Sequence, residues 1–262
     1  MEEGEKLGLW KFVRMEGPRV AIPPARAYIL GAWHPGYQGL LGAEKTGVLW
    51  TSSAGEMEME PVEIGYLGGI LQDPRISFVW FGDPSLAKVY PQKGIFAPYP
   101  LSPELPTPQV EKRHAVALFN PGGLKKNNLN QLLAVALAQR EDPELALETN
   151  LGGFREVMDR LGLRYHLHPW LPREQYHQVL ASCKVNLAVS WAETFNYQVA
   201  EAGLLGVPSV ISRTIPLPGF RVPDPNDPHS IAERIGHALR HGGSMDIRQR
   251  ILGVARRNNQ AL

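Results

Sequence analysis

The sequence predicts an α/β protein of two Rossmann-like halves, each a doubly wound parallel sheet, with the first half reduced. Three observations carry this expectation. From His114 onward, short β-branched runs alternate with segments of helical periodicity, the pattern that places helices on both faces of a parallel sheet. A shorter strand–helix–strand run precedes it. Between the two, Ala97 to Pro108 reads A-P-Y-P-L-S-P-E-L-P-T-P, and five prolines in twelve residues exclude both helix and central strand. Such a linker is extended and stiff, so it divides the chain into 1–107 and 108–262 with a cleft expected between the halves.

Residues 1–17 are polar with scattered apolar positions and carry no usable signal. Arg26–Gly31, Gly47–Thr51 and Ile76–Phe81 are β-branched and aromatic runs bounded by Gly, Pro or Asp, and read as buried strands. Glu56–Leu71 has an acidic start and apolar positions at Ile64, Leu67 and Leu71, which fits one helix. The sequence from Phe81 through Asp83 and Pro84 to Ala87 turns from a strand into a short helix. In the second half, strands are expected at His114–Phe119, Leu145–Thr149, Tyr165–His168, Val185–Val189 and Ser209–Ser212. Helices are expected at Asn128–Arg140, Phe154–Leu161, Arg173–Cys183, after Val189, and at Ser230–His241 and Asp246–Asn258. In open parallel sheets of this kind, ligands bind outside the carboxyl ends of the strands.

Composition bounds the function. With 27 basic and 26 acidic residues the net charge is +1, so nothing argues for nucleic acid as an obligatory partner. No run of 18 apolar residues occurs and the start, M-E-E-G-E-K, is acidic, which predicts no membrane span, no signal peptide and a cytoplasmic protein. Cys183 is the one cysteine, so no intramolecular disulfide can form; its spacing with Tyr176, Val179 and Leu180 reads as core.

The stretch from Ser190 to Ser212, S-W-A-E-T-F-N-Y-Q-V-A-E-A-G-L-L-G-V-P-S-V-I-S, carries the chemistry. On one continuous helix Glu193 and Glu201 would not lie side by side, so Glu193 belongs in the loop and Glu201 a turn inside the helix, with Thr194 or Asn196 as the N-cap. Gly206 then ends the helix and Pro208 opens a strand. A helix start near Phe195 to Tyr197 suits a phosphate, and a carboxylate on each side suits hydroxyls, which together describe a nucleotide sugar. Upstream, Asn120-Pro121-Gly122-Gly123-Leu124-Lys125-Lys126-Asn127 follows the first strand of the second half. Its glycines let backbone approach a ligand and its lysines can meet a diphosphate, although a solvated surface loop has the same composition.

Ser190, Glu193, Phe195, Glu201, Ala202, Gly206 and Pro208 resemble the donor-site signature of the retaining glycosyltransferases with GT-B architecture, two Rossmann-like domains facing a cleft. The resemblance covers roughly residues 112–262; the first hundred residues match poorly, and nothing before Arg26 reads like the family's opening strand and Gly-rich loop. It implies a metal-independent transfer of a sugar, with retention, from a nucleotide-diphosphate sugar to a hydroxyl acceptor. No cofactor is implied beyond the donor itself. By resemblance Glu201 holds the ribose, Glu193 contacts the sugar, and Lys126 stands at the family's lysine, with Lys125 in place of its absent arginine. The donor-binding set is therefore Gly122, Gly123, Lys125, Lys126, Ser190, Glu193, Thr194, Phe195, Asn196 and Glu201; Ser190 either reaches the phosphates or caps the turn. The family's last helix crosses back onto the first domain.

Glycosyl transfer also needs an acceptor for the hydroxyl proton. The family often has a histidine in the first domain, and His34, in G-A-W-H-P-G-Y, is the candidate, ahead of Asp83 and Ser52. The catalytic set is then Glu193, Lys126 and His34. No Asp-x-Asp pair is present; Asp224 and Asp227 read as a turn and a helix start, and His166 and His168 lack a nearby acid or cysteine in sequence, so no metal site is expected. The short first half leaves room for a homodimer, since a truncated sheet exposes apolar edges. Two rivals remain: a nucleotide-sugar-binding or scaffolding protein without turnover, and a glucosyltransferase acting on DNA bases, against which the near-neutral charge counts.

Overall fold

The computed structural model describes residues 28–30, 46–105, 108–120, 122–242 and 246–261. The chain forms two compact units, Met1–Ser102 together with Ala255–Leu262, and Pro103–Val254.

The first unit holds a parallel sheet in the order β1 (Tyr28–Leu30), β2 (Thr46–Trp50), β3 (Ile76–Phe81) and β4 (Gly94–Phe96). Between β2 and β3 the expected single helix is two, α1 (Ala54–Met59) and α2 (Val62–Gln72). Pro61 is the reason: it offers no N–H to continue α1 and is suited to start α2. A reciprocal capping box at Ser53 and Glu56 begins α1. Asp83 caps α3 (Pro84–Val89), accepting from the Ser85 N–H at 2.8 Å, and also accepts from Ala54 N at 3.4 Å. Asp83 thus holds two backbone N–H groups, at the start of α3 and the start of α1. The strand β4 was not legible in the sequence because it is an edge strand with Ile95 and Phe96 exposed; its Gly94 is required where a Cβ would sit 2.6 Å from the Tyr90 carbonyl.

The second unit carries a six-stranded parallel sheet in the order β10-β9-β8-β5-β6-β7. Its elements are β5 (Ala115–Leu118), α4 (Asn128–Glu141), β6 (Ala146–Thr149), α5 (Arg155–Arg160), β7 (Tyr165–Leu167), α6 (Arg173–Ser182), β8 (Val185–Ala188), α7 (Tyr197–Leu204), β9 (Ser209–Ile211), β10 (Phe220–Arg221), α8 (Pro228–His241) and α9 (Ile247–Gln260). Every strand from β5 to β9 overlaps its sequence-predicted run.

The central strand shows why the sheet is covered on both faces. Val116 and Leu118 face one apolar cluster with Leu132 and Val135 of α4, Met158 of α5 and Ile231 and Ile235 of α8. Ala115, Ala117 and Phe119 face another with Leu180 and Ala181 of α6 and Ala202 and Leu205. The chain builds β5, β6 and β7 outward in one direction and then returns to place β8 on the other flank of β5. The order of winding reverses between β5 and β8, so the loops leaving those two strands diverge there and open a crevice at their carboxyl ends.

The end of α9 belongs to the first unit. Asn258 Nδ2 donates to the Tyr99 carbonyl at 2.9 Å, and Asn259 exchanges two hydrogen bonds with the Leu101 backbone. No helix among the described residues is long and apolar enough to cross a membrane.

Candidate functional site

The two loops at this reversal are 119–127, after β5, and 189–196, after β8. The first contains a single 3-10 turn, Leu124–Lys126, closed by Asn127 in the left-handed conformation (φ 54°, ψ 33°). A Cβ at Gly122 would approach Lys126 Cγ to 2.9 Å, so glycine there lets the lysine stem lie back over the loop. Gly123 meets no such constraint, since nothing lies within 4 Å of its hypothetical Cβ.

Lys126 reaches across to the second loop. Its Nζ donates to both oxygens of Glu193, at 3.1 and 2.8 Å, with side chains 17% and 8% exposed. Two residues chosen from separate stretches, one as a cation for phosphate and one as an acid for a sugar, therefore meet. The loops are also joined through backbone, Trp191 N–H donating to the Lys125 carbonyl at 2.9 Å.

A third tie was not legible in the sequence. Gln131, fully buried on α4, donates from Nε2 to the Lys126 carbonyl at 2.7 Å and accepts the Val189 N–H on Oε1 at 2.8 Å. One carboxamide thus fixes both loops relative to α4. The available signal was a glutamine at the core-facing position of an apolar helix.

The helix α7 starts after Asn196, whose side chain accepts from the Val199 N–H at 3.0 Å; of the two predicted caps, Asn196 is the one used and Thr194 is not. Phe195 packs edge-on against Tyr197, ring centroids 5.0 Å apart. Gly206, at φ +73°, ends the helix: Val207 N–H donates to the Ala202 carbonyl and Gly206 N–H to Gly203, the pair of bonds that satisfies terminal carbonyls. Ser190 is fully buried and its Oγ has no hydrogen-bond partner.

Glu201 lies one turn inside α7, about 6 Å along the axis from Tyr197 at 1.5 Å per residue. Arg173 Nη2 is 3.1 Å from its Oε1, and His177 Nε2 is 3.4 Å from the same oxygen without hydrogen-bonding alignment. Arg173 and His177 escaped the sequence reading, although their spacing of four on a predicted helix places them on one face. Both side chains lie against one oxygen of Glu201. The carboxylate borders a cavity of about 350 Å3 that also touches Phe119, Asn150, Trp170, Tyr176 and Gln198.

His166 and His168 have an acid partner after all, supplied by the neighbouring strand. Glu148 on β6, with a side chain 1% exposed, accepts from His166 Nδ1 at 2.9 Å and His168 Nε2 at 2.6 Å, and pairs with Arg113 at 2.8 Å. The carboxylate is thereby fully engaged, and no group of three residues suited to a metal occurs among the described residues. His168 in turn packs on Phe119, ring centroids 5.7 Å apart. Asp227 caps α8 through the His229 and Ser230 N–H groups, and Asp224 accepts from Asn226 N–H in a turn. His34 lies outside the described residues.

No protein-family model matches the chain, and no curated protein does. Among solved structures the chain is similar to an alpha,alpha-trehalose-phosphate synthase (UDP-forming) from Burkholderia xenovorans in complex with glucose-6-phosphate, at 9% identity and a TM-score of 0.64, over 85% of this chain and 66% of that one. It is similar to the trehalose-6-phosphate synthase OtsA at 12% identity and a TM-score of 0.60, over 82% of this chain and 64% of that one. A GtfA/B complex matches at 15% identity and a TM-score of 0.55, over 85% of this chain and 51% of that one. The chain thus spans about two thirds or less of the length of these three structures. Their likeness shows that it has the fold of the GT-B glycosyltransferases.

Proposed function

We propose that this chain is a glycosyltransferase that binds a nucleotide-diphosphate sugar at the β5/β8 reversal and moves the sugar to a hydroxyl acceptor. The observation that carries the reading is the ion pair of Lys126 with Glu193 at the mouth of that reversal, with Glu201 one turn inside the adjoining helix. Lys126 and the start of α7 take the charge of the leaving diphosphate as the bond from the anomeric carbon to phosphate oxygen breaks. Glu193, released from Lys126 by the incoming phosphates, accepts hydroxyls of the sugar. Glu201, already oriented by Arg173, uses its remaining oxygen for the ribose.

The solved neighbours support the donor class, since the first of them is a UDP-forming synthase. Transfer with retention, without a divalent ion, is part of the same proposal: the cationic lysine and the helix start take the role a metal would otherwise fill. The test is to incubate the protein with UDP-, GDP- and ADP-glucose and a panel of hydroxylated acceptors, with and without chelator, and to follow diphosphate release and the anomeric configuration of the product. Chelator-insensitive transfer that Lys126→Ala reduces by about 100-fold or more supports the reading, a loss of the size found when one transition-state charge stabiliser is removed. Binding of the sugar nucleotide with no transfer to any acceptor would replace it with a donor-binding protein.

A further inference from the structure

The first unit holds none of the donor-binding residues, yet its helix α2 is inverted for a helix that faces water. Leu67 and Ile70 point to the sheet and pack in one cluster with Val48, Val79 and Phe81. The opposite side of such a helix is ordinarily polar. Instead Val62, Ile64 and Tyr66, with Met59 at the end of α1, are between 37% and 61% exposed. At about 100° per residue, roughly 200° of the helix surface, from Ile64 round through Gly68, Gly65, Gly69 and Val62 to Tyr66, holds no charged residue. The one charged residue of α2, Glu63, shares the inward side with Leu67 and Ile70, and its Oε2 is buried.

The glycines on this face serve no purpose within the chain. Nothing lies within 4 Å of a Cβ built on Gly65 or Gly69, so among the described residues no neighbour requires them. Glycine inside a helix costs stability relative to alanine. Val62, Gly65, Tyr66 and Gly69 follow the spacing i, i+3, i+4, i+7 and so form one stripe, with bulky and empty positions interleaved in the way that lets a second helix approach closely. The two ends of the stripe differ in charge. Glu58 and Glu60, both exposed, stand just before α2. At its far end Lys93 Nζ donates to the carbonyl of the C-cap residue Asp73 at 2.7 Å, and Arg75 pairs with the Asp73 carboxylate.

We propose that this face is a reversible dimer interface whose occupant is α2 of a second copy, packed antiparallel around a two-fold axis between Gly65 and Tyr66. In that register Tyr66 lies over the partner's Gly65 and Val62 over the partner's Gly69, so each bulky side chain meets a notch and the symmetry repeats the fit. The same register lays the acidic start of each helix on the end of the other that carries Lys93, which a parallel pairing does not. An uncharged face gives a charged partner surface nothing to pair with. A bilayer is the other apolar occupant, and the exposed acids Glu58 and Glu60 beside the face oppose docking on an anionic membrane. The open edge at β4, where Ile95 and Phe96 are exposed, is the rival place for a second copy, but three residues supply few ladder hydrogen bonds. With 11 residues α2 is about 16 Å long. So short a contact buries less than the roughly 800 Å2 per partner of a standard interface, and the dimer therefore dissociates on dilution.

The test is sedimentation velocity of the full chain across a dilution series, for the wild type, the double variant Gly65→Ala with Gly69→Ala, Tyr66→Asp and Phe96→Asp, with flotation on phosphatidylglycerol vesicles alongside. The glycine pair separates the interface from the fold, because a methyl group has room in the monomer and alanine favours the helix. The proposal predicts that this variant unfolds at a higher temperature than the wild type in dilute solution, while its self-association weakens by about tenfold or more. Tyr66→Asp abolishes self-association and Phe96→Asp leaves it unchanged. Self-association that survives both α2 variants, or that is lost only in Phe96→Asp, puts the contact elsewhere and overturns the proposal. A wild type that is monomeric at every concentration overturns it as well, and flotation of that monomer that Tyr66→Asp prevents would assign the face to a membrane instead.

Discussion

Gln131 holds the site together with one carboxamide, and its loss is read in two ways. Gln131→Ala orphans the Lys126 carbonyl and the Val189 N–H, each in a buried setting, at a cost of about 1–3 kcal/mol per group. Denaturant unfolding should show that loss, and nucleotide affinity should fall with it because both loops of the proposed donor site lose their shared anchor. Gly122→Ala tests the same loop more locally. A methyl 2.9 Å from Lys126 Cγ pushes the lysine off its present course and a side chain at φ +158° is strained, so affinity for diphosphate falls together with some stability. Cys183 belongs to the core, as its spacing indicated: it is fully buried, donates to the Val179 carbonyl at 3.3 Å, and burial, reinforced by the charge of Glu148, pushes its thiol up to about 12. Because the folded value lies above the ordinary value of 9.0, the stability this protonated thiol contributes is complete below about pH 9 and is lost as pH rises toward 12. A thiol-reactive disulfide reagent at pH 8 should therefore leave the native protein unlabelled and react once denaturant unfolds it; rapid labelling of the native protein would contradict the burial. At this scale the sequence singled out Lys126, Glu193 and Glu201 as candidates because their residue types and spacing are local. Arg173, Gln131 and Glu148 became visible only with the fold, since each acts through a partner remote in sequence.

The element that organises the site is α7, and its two ends were readable for physical reasons. Asparagine accepts from the first-turn N–H groups, and only glycine takes the φ of +73° at Gly206 without strain. Replacing the cap, Asn196→Ala, should cost about 1 kcal/mol in unfolding free energy, typical of a lost N-cap. A second consequence concerns the helix's back. A Cβ at Gly203 would lie 2.4 Å from Ile251 Cγ1, which means α9 packs directly on the glycine. Gly203→Val should overpack that contact by about 1–3 kcal/mol, seen as a lower denaturation midpoint and faster amide exchange in α9. Retained stability would mean that α9 is free to shift. Strands β5, β6, β8 and β9 were legible because buried parallel strands are short apolar runs, whereas β4 and β10 lie at sheet edges with exposed residues and show no such run. The α1/α2 break was present in the sequence as Pro61, and the helical periodicity on both sides concealed it.

For the molecule as a whole, the sheet order decides where chemistry can occur. Sequence alternation predicts a parallel sheet but not the order of its strands, so it cannot say that the loops after β5 and β8 diverge from neighbouring positions. The order β10-β9-β8-β5-β6-β7 supplies that step and brings Lys126 to Glu193. The comparison with solved structures adds the fold at identities of 9% to 15%, where residue roles do not transfer by alignment alone. The central claim is that one nucleotide diphosphate occupies the space between Lys126 and Glu201. The most direct measurement is a double-mutant cycle on the affinity of the tightest-binding diphosphate, using wild type, Lys126→Ala, Glu201→Ala and the double variant, with sugar-free nucleoside as a second ligand. The account predicts that both single variants weaken the diphosphate, that only Glu201→Ala weakens the nucleoside, and that the wild type binds equally well in chelator. Diphosphate affinity unchanged by either substitution would contradict it.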